Sequence, residues 1–157
     1  MYKMKYGIID GKPRVTTDAP MYASTVLPAK SGRFIVYDTS ATYYRAPATD
    51  EDAITAYVEQ NLTCSATSGS DRLPAVTNLA ELTFELPYAT SGAAATLTAA
   101  VLETLKGKLV DIYVDGDGVQ YANASASTDD MFVVQGGSVA ENTLYVTVNP
   151  AKINQVS

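Results

Sequence analysis

The clearest pattern along the chain lies in its last third, from Lys108 to Pro150. Three apolar runs occur there, LVDIYV (109–114), MFVVQ (131–135) and TLYVTV (143–148), each rich in β-branched or aromatic residues and each closed by a Gly, Asn or Pro signal. In the last run Leu144, Val146 and Val148 alternate with Thr143, Tyr145 and Thr147. A period of two places successive side chains on opposite faces of a strand, and residues of this kind suit a half-buried pleated surface. The block predicts a β-meander against which the rest of the chain packs.

The same reading applied from the start of the chain predicts further strands. RFIVYD (33–38) and TYYR (42–45) flank the turn sequence DTSA and predict a hairpin. From Ile54 to Cys64 apolar and polar residues alternate over a long stretch, which favours one strand over a helix. In NLAELTFELPY (78–88) the alternation from Leu82 predicts a strand stopped by Pro87. One helix is predicted, over 93–106, where AAATLTAAVLETLK carries Leu97, Val101, Leu102 and Leu105 on one face and Gly107 stands at the C-cap. Residues 1–32 contain Pro13, Pro20 and Pro28 and read as an extended N-terminal arm, or as an edge hairpin turning at Asp10-Gly11. The expected fold is mainly β (α+β): an antiparallel β-sandwich or barrel-like domain over 33–157, with one amphipathic helix and that arm.

Composition narrows the chemistry. The chain of 157 residues contains no histidine, so nucleophile pairs, metal clusters and general bases that depend on imidazole are absent. Cys64 is the only cysteine, which rules out an intramolecular disulfide and leaves the thiol without a histidine base. It falls on the apolar face of its predicted strand, as a small hydrophobe would. The net charge of −6 repels phosphate backbones, so nucleic acid is not expected as a partner. No stretch approaches the length of a membrane span, and the N-terminus lacks the apolar core of a Sec signal peptide.

Several motifs invite a functional role, and each has a plainer one. Asp111, Asp115 and Asp117 in DIYVDGDG suggest calcium, yet neither EF-hand register places oxygen ligands at the required positions, and Asp-Gly is a preferred type I′ turn. Asp129-Asp130 and Thr49-Asp50-Glu51-Asp52 are acidic clusters that suit solvated turns better than a carboxylate pair for glycoside cleavage. Gly136-Gly137 precedes no helix and lacks a phosphate-loop lysine. Asn61-Leu-Thr63 and Asn123-Ala-Ser125 fit the glycosylation triplet, which arises often by chance. No cofactor or metal is expected from these motifs.

The densest aromatic and cationic cluster is Tyr37, Tyr43 and Tyr44 with Arg33 and Arg45. Tyr and Arg are enriched at protein interfaces, although cross-strand pairing within a hairpin would also bring them together. With Tyr2, Tyr6, Arg14 and Tyr22 of the N-terminal segment, they form the expected partner-contact set.

The passage around KSGRFIVYD and RAPATD, with the final strand NTLYVTVNP, resembles tailed-phage capsid decoration (cement) proteins and the capsid-anchoring part of phage head-fibre proteins. The likeness spans about a third of the chain. It implies a non-enzymatic, β-rich protein on the virion exterior that binds the major capsid protein, commonly as a homotrimer, with 1–32 as the capsid contact. Without disulfides, burial between subunits would add stability by mass action. A second reading is a carbohydrate- or cell-surface-binding β module in which Tyr37, Tyr43 and Tyr44 stack on sugars. A third is a hydrolase with paired carboxylates, which would require a pocket where two carboxylates converge.

Overall fold

The computed structural model describes residues 6–124 and 130–154 of the chain. Its first part contributes strands β1 (Ile8–Asp10), β2 (Val15–Pro20), β3 (Val26–Leu27), β4 (Phe34–Asp38), β5 (Tyr43–Arg45), β6 (Ala56–Tyr57), β7 (Leu62–Thr63) and β8 (Arg72–Val76). The second part contributes β9 (Thr83–Thr90), β10 (Ala93–Ala94), helix α1 (Ala99–Leu105), β11 (Leu109–Val114), β12 (Gln120–Asn123), β13 (Phe132–Ser138) and β14 (Thr143–Val148). The fold is mainly β with one helix and several antiparallel sheets, in agreement with the sequence.

The three runs of the last third form β11, β13 and β14, but the block is not a simple meander. The order β9-β12-β11-β13-β14 returns to β9 through a β9–β14 pairing and closes into a small barrel. Only the β9–β12 contact in that ring is parallel. Closure removes the free edges that an open sheet would expose. Strand β9 runs on through Pro87, which pairs opposite Thr143 at the last position shared with β14; beyond it Tyr88 and Ala89 pair with β12. A residue without an N–H is tolerated at such a hand-over, where one ladder ends and another begins.

A second ring lies beside the first. The order β2-β8-β6-β4-β5 is closed by a bridge between Met21 and Tyr44, where the Tyr22 N–H donates to the Tyr44 carbonyl at 2.8 Å. Ile35, Ala56, Val58, Leu73 and Ala75 fill its interior with Met21, Leu27 and Cys64. Alternate residues on the same strands, Phe34, Val36, Tyr57 and Val76, point the other way and join the core of the first barrel. Every residue from Ile54 to Val58 is therefore buried. The expected long strand from Ile54 to Cys64 breaks into β6 and β7 around a turn at Glu59-Gln60, since a short barrel has no room for a continuous strand of that length.

The junction is partly aromatic and partly polar. Phe34 packs with ring centroids 4.9 Å from Tyr57, 4.9 Å from Phe84 and 5.4 Å from Phe132. Gln120, fully buried, accepts from the Phe34 N–H at 2.8 Å and donates through Nε2 to the Phe34 carbonyl at 3.0 Å. Its own N–H donates to Ser31 Oγ at 2.8 Å, and Gly32 donates to its carbonyl at 3.1 Å. A Cβ on Gly32 would lie 2.8 Å from Leu86 Cδ2, so this close approach selects glycine.

Residues 6–32 do not form the edge hairpin expected to turn at Asp10-Gly11. β1 pairs with β9 of one barrel, whereas β2 pairs with β8 of the other, so the two segments flanking Asp10-Gly11 do not pair with each other. Ala19, Met21 and Leu27 are fully buried. Apolar residues of this segment gain more by filling the two barrels than by local pairing across the turn.

The helix is shorter than the expected 93–106. Ala93 and Ala94 fold back on Ala89 and Thr90 after a turn in which Ser91 and Gly92 both have positive φ, and the helix starts only after Thr98. Thr98 Oγ1 accepts the Val101 N–H at 3.3 Å, and this cap overrides the helix preference of the preceding alanines. The apolar stripe persists: Leu97, Leu102 and Leu105 are buried, with Val101 packed against the core. Gly107, at φ +80°, follows the helix as expected for its C-terminal stop.

Candidate functional site

The hairpin of β4 and β5 assembles the main surface cluster. Asp38 shapes the turn: its Oδ1 accepts N–H groups from Ser40 at 2.9 Å and Ala41 at 3.3 Å. The register then sets Tyr37 opposite Tyr44 and Asp38 opposite Tyr43. The Tyr37 and Tyr44 rings lie 5.1 Å apart. Because Met21 bridges to Tyr44, the next residue, Tyr22, reaches the cluster; its ring meets Tyr43 edge-on at 5.6 Å and its hydroxyl donates to Asp38 Oδ2 at 3.1 Å. The loop before β8 lies over Tyr43, where Gly69 (φ +84°) would place a Cβ 3.0 Å from Tyr43 Cε1.

Electrostatics hold the patch in place. Hydrogen bonds from the Ser40 N–H, the Tyr22 hydroxyl and the Ala41 N–H lower the Asp38 pKa despite some desolvation. The Tyr22 hydroxyl is raised, by desolvation first and then by its bond to Asp38. Arg45 makes a bidentate pair with Glu51, with both N···O distances at 2.9 Å, and the Ala48 N–H donates to the same carboxylate at 2.8 Å. Burial alone would raise the Glu51 pKa, but the Arg45 and Ala48 hydrogen bonds outweigh it and the pKa falls below the usual 4.5. A carboxyl depressed on folding contributes stability above its unfolded pKa and loses that contribution as pH falls through its folded value. Glu51→Gln is therefore expected to cost up to about 1 kcal/mol at neutral pH, since Arg45 is partly exposed. That cost should vanish in urea melts run progressively below pH 4.5. A pH-independent difference would show that the charge pair is not its source.

The structure gathers Tyr22, Tyr37, Tyr43, Tyr44 and Arg45 from the expected contact set and separates the others. Arg33 is buried at the barrel junction, where Nε donates to the Val58 carbonyl at 2.9 Å and Nη1 to the Ser31 carbonyl at 3.3 Å, with the guanidinium 5.4 Å from the Tyr57 ring centroid. It cannot meet a partner from there. Tyr6 is packed on the first barrel, its N–H donating to Glu85 Oε1 at 3.0 Å. Arg14 is exposed but lies in the β1–β2 connection, where its N–H donates to Asn78 Oδ1. Tyr2 lies outside the described residues. Tyr44 is only 3% exposed, so Tyr37, Tyr43 and Tyr44 do not form an open sugar-stacking trio. Sequence reading does not reveal Asp38 and Glu51 as organisers of the patch; the Asp-x-Ser turn signal in DTSA is the clue to the first.

Asp115 organises the turn that carries it. Asp115 accepts N–H groups from Asp117 at 2.9 Å and Val119 at 3.0 Å and the Tyr121 hydroxyl at 3.2 Å. The hairpin thus turns through a wider loop from Asp115 to Val119 rather than a two-residue type I′ turn. Among the described residues, no group of three or more Asp, Glu, Cys or His side chains is placed to hold a metal ion. Asp129 lies outside the described residues, and the Asp130 N–H donates to Asp111 Oδ1 at 2.8 Å. Burial raises the pKa of the Cys64 thiol, with Asp71 adding to the effect.

Comparison with known proteins then adds nothing to the geometry. No family model, curated protein or solved structure matches this chain. The reading of function rests on the patch itself.

Proposed function

We propose that this chain is a non-enzymatic phage structural protein that binds the outer surface of a capsid and stabilises it by bridging major capsid subunits. The observation that carries the reading is the patch of Tyr22, Tyr37, Tyr43 and Arg45, held in place by Asp38 and Glu51 at the rim of a barrel. Tyr and Arg supply large contact area and directional donors, the composition of interface hot spots. Fixing them before contact lowers the ordering cost of binding. Two barrels fused through Phe34 and Gln120 form a body suited to spanning neighbouring subunits. The resemblance in KSGRFIVYD and RAPATD falls on this same hairpin and the loop after it.

The reading carries a homotrimer and a location on the virion exterior as further parts of the proposal. Its test is co-sedimentation with capsids assembled from the major capsid protein of the same genome. The wild-type chain should pellet with the particles and raise their melting temperature. Tyr43→Ser with Arg45→Ala should leave the protein folded by circular dichroism and abolish pelleting. Wild-type protein that stays in the supernatant would reject the reading, and so would a double variant that binds as well as wild type. Light scattering on the free protein tests the trimer separately.

A further inference from the structure

The outer face of the first barrel carries a second surface, on the opposite side of β14 from the core. Leu144, Val146 and Val148 point inward, which turns Tyr145 and Thr147 outward. With Thr83 of β9, Gln135 of β13 and Ile9 and Asp10 of β1, they line an open groove of about 590 Å³. The groove therefore rests on four adjacent strands, a rigid support for a binding site.

Local geometry prepares its centre. A bulge between Val134 and Gly136 shifts β13 so that Gly136 stands opposite Tyr145. A Cβ there would lie 3.6 Å from Tyr145 Cδ2, so the ring rests beside a position with no side chain to cover it. Beside the ring, Gln135 Nε2 donates to Thr147 Oγ1 at 3.0 Å, which fixes the amide. Thr83 and Asp10 stand opposite each other in the β1–β9 ladder and add a hydroxyl and a carboxylate.

We infer that this groove binds a neutral saccharide. A pyranose presents an apolar C–H face and a rim of hydroxyls. The Tyr145 ring offers an apolar surface to the first. Asp10 accepts from neighbouring hydroxyls, while the Gln135 amide and the two threonine hydroxyls both donate and accept. Among the described residues no Lys or Arg lines the groove, Asp10 is acidic and the chain carries a net charge of −6. An anionic sugar, phosphate or carboxylate ligand is thereby disfavoured. This surface does not involve the Tyr22–Arg45 patch, so the two readings stand or fall separately.

The test is a titration of the ¹⁵N-labelled full chain with maltohexaose, cellohexaose and mannohexaose, followed by amide NMR. Sialyllactose and a heparin oligosaccharide serve as charged counterparts. At least one neutral sugar should produce saturable shifts confined to Asp10, Thr83, Gln135, Gly136, Tyr145 and Thr147. Tyr145→Ala and Gln135→Ala should each weaken binding by about tenfold or more, a loss of ~1.4 kcal/mol. Arg45→Ala should leave binding unchanged. Gln135 is exposed, so its truncation tests the site even if Tyr145→Ala destabilises the strand. The inference is overturned if no neutral sugar moves these amides, if only the charged sugars bind, or if folded Gln135→Ala binds at full strength.

Discussion

Phe34→Ala is expected to destabilise the protein by about 3–5 kcal/mol, the range for removing a fully buried aromatic ring. Phe34 is completely buried and touches three other aromatic rings, two from the first barrel and one from the second. Edge-on and tilted ring pairs of this kind add to the burial term. A cavity at this point would have walls from both barrels, and closed barrels collapse poorly around a void. A domain of this size has a total stability of about 5–15 kcal/mol, so the variant would be marginal at best. Ile35→Val on the same strand is the control, since Ile35 faces only the interior of the second barrel and should cost about 0.5–1.5 kcal/mol. Urea unfolding followed by fluorescence and circular dichroism reads both. A loss below 1 kcal/mol at Phe34 would mean that the barrels do not share a core. Separate transitions by the two probes would mean that they unfold independently.

The sequence revealed strands wherever one face of a strand is wet and its partner is close in the chain. TLYVTV fulfils both conditions: β14 keeps the expected alternation and pairs with β13. The hairpin of RFIVYD and TYYR meets only the second condition, since Phe34, Ile35 and Val36 are buried on both faces, yet its short turn and close partner bring Tyr37, Tyr43, Tyr44 and Arg45 together. Residues 54–58 broke the rule because both faces are buried, one inside the second barrel and one against the first. Periodicity cannot detect a second buried face when it is lined by Thr55 and Tyr57. Ring closure was illegible for another reason. The pairings that make it, β9 with β12 and β14, join segments far apart in the chain and leave no local signature. Arg33 shows the limit for sites: its neighbours in sequence sit on a surface hairpin, yet its own side chain runs into the junction and packs against Tyr57. Tyr22 reads in the sequence as part of an arm, but it reaches the patch through the Met21–Tyr44 bridge.

Gln120→Met is expected to cost about 2–6 kcal/mol, from two buried backbone groups left unpaired at about 1–3 kcal/mol each. Methionine nearly matches glutamine in shape, so packing loss contributes little. The Gln120 amide satisfies both the N–H and the carbonyl of Phe34 at a point where β4 faces the first barrel. Gln120→Glu separates this polar role from size. The introduced carboxylate still accepts from the Phe34 N–H, but its second oxygen then faces the Phe34 carbonyl as an acceptor against an acceptor. Protonation restores a donor there, so folding raises the pKa of the introduced acid above its free value of about 4.3. An acid with a raised folded pKa stabilises the fold at low pH and loses that contribution as pH rises. Relative to wild type, Gln120→Glu should therefore recover stability as pH falls from 7 towards 4, while Gln120→Met should show a constant deficit. If the methionine variant lies within about 0.5 kcal/mol of wild type, the ordinary range for a substitution away from such features, the amide does not tie the barrels together. If both variants show the same deficit at every pH, the loss comes from packing and not from the hydrogen bonds to Phe34.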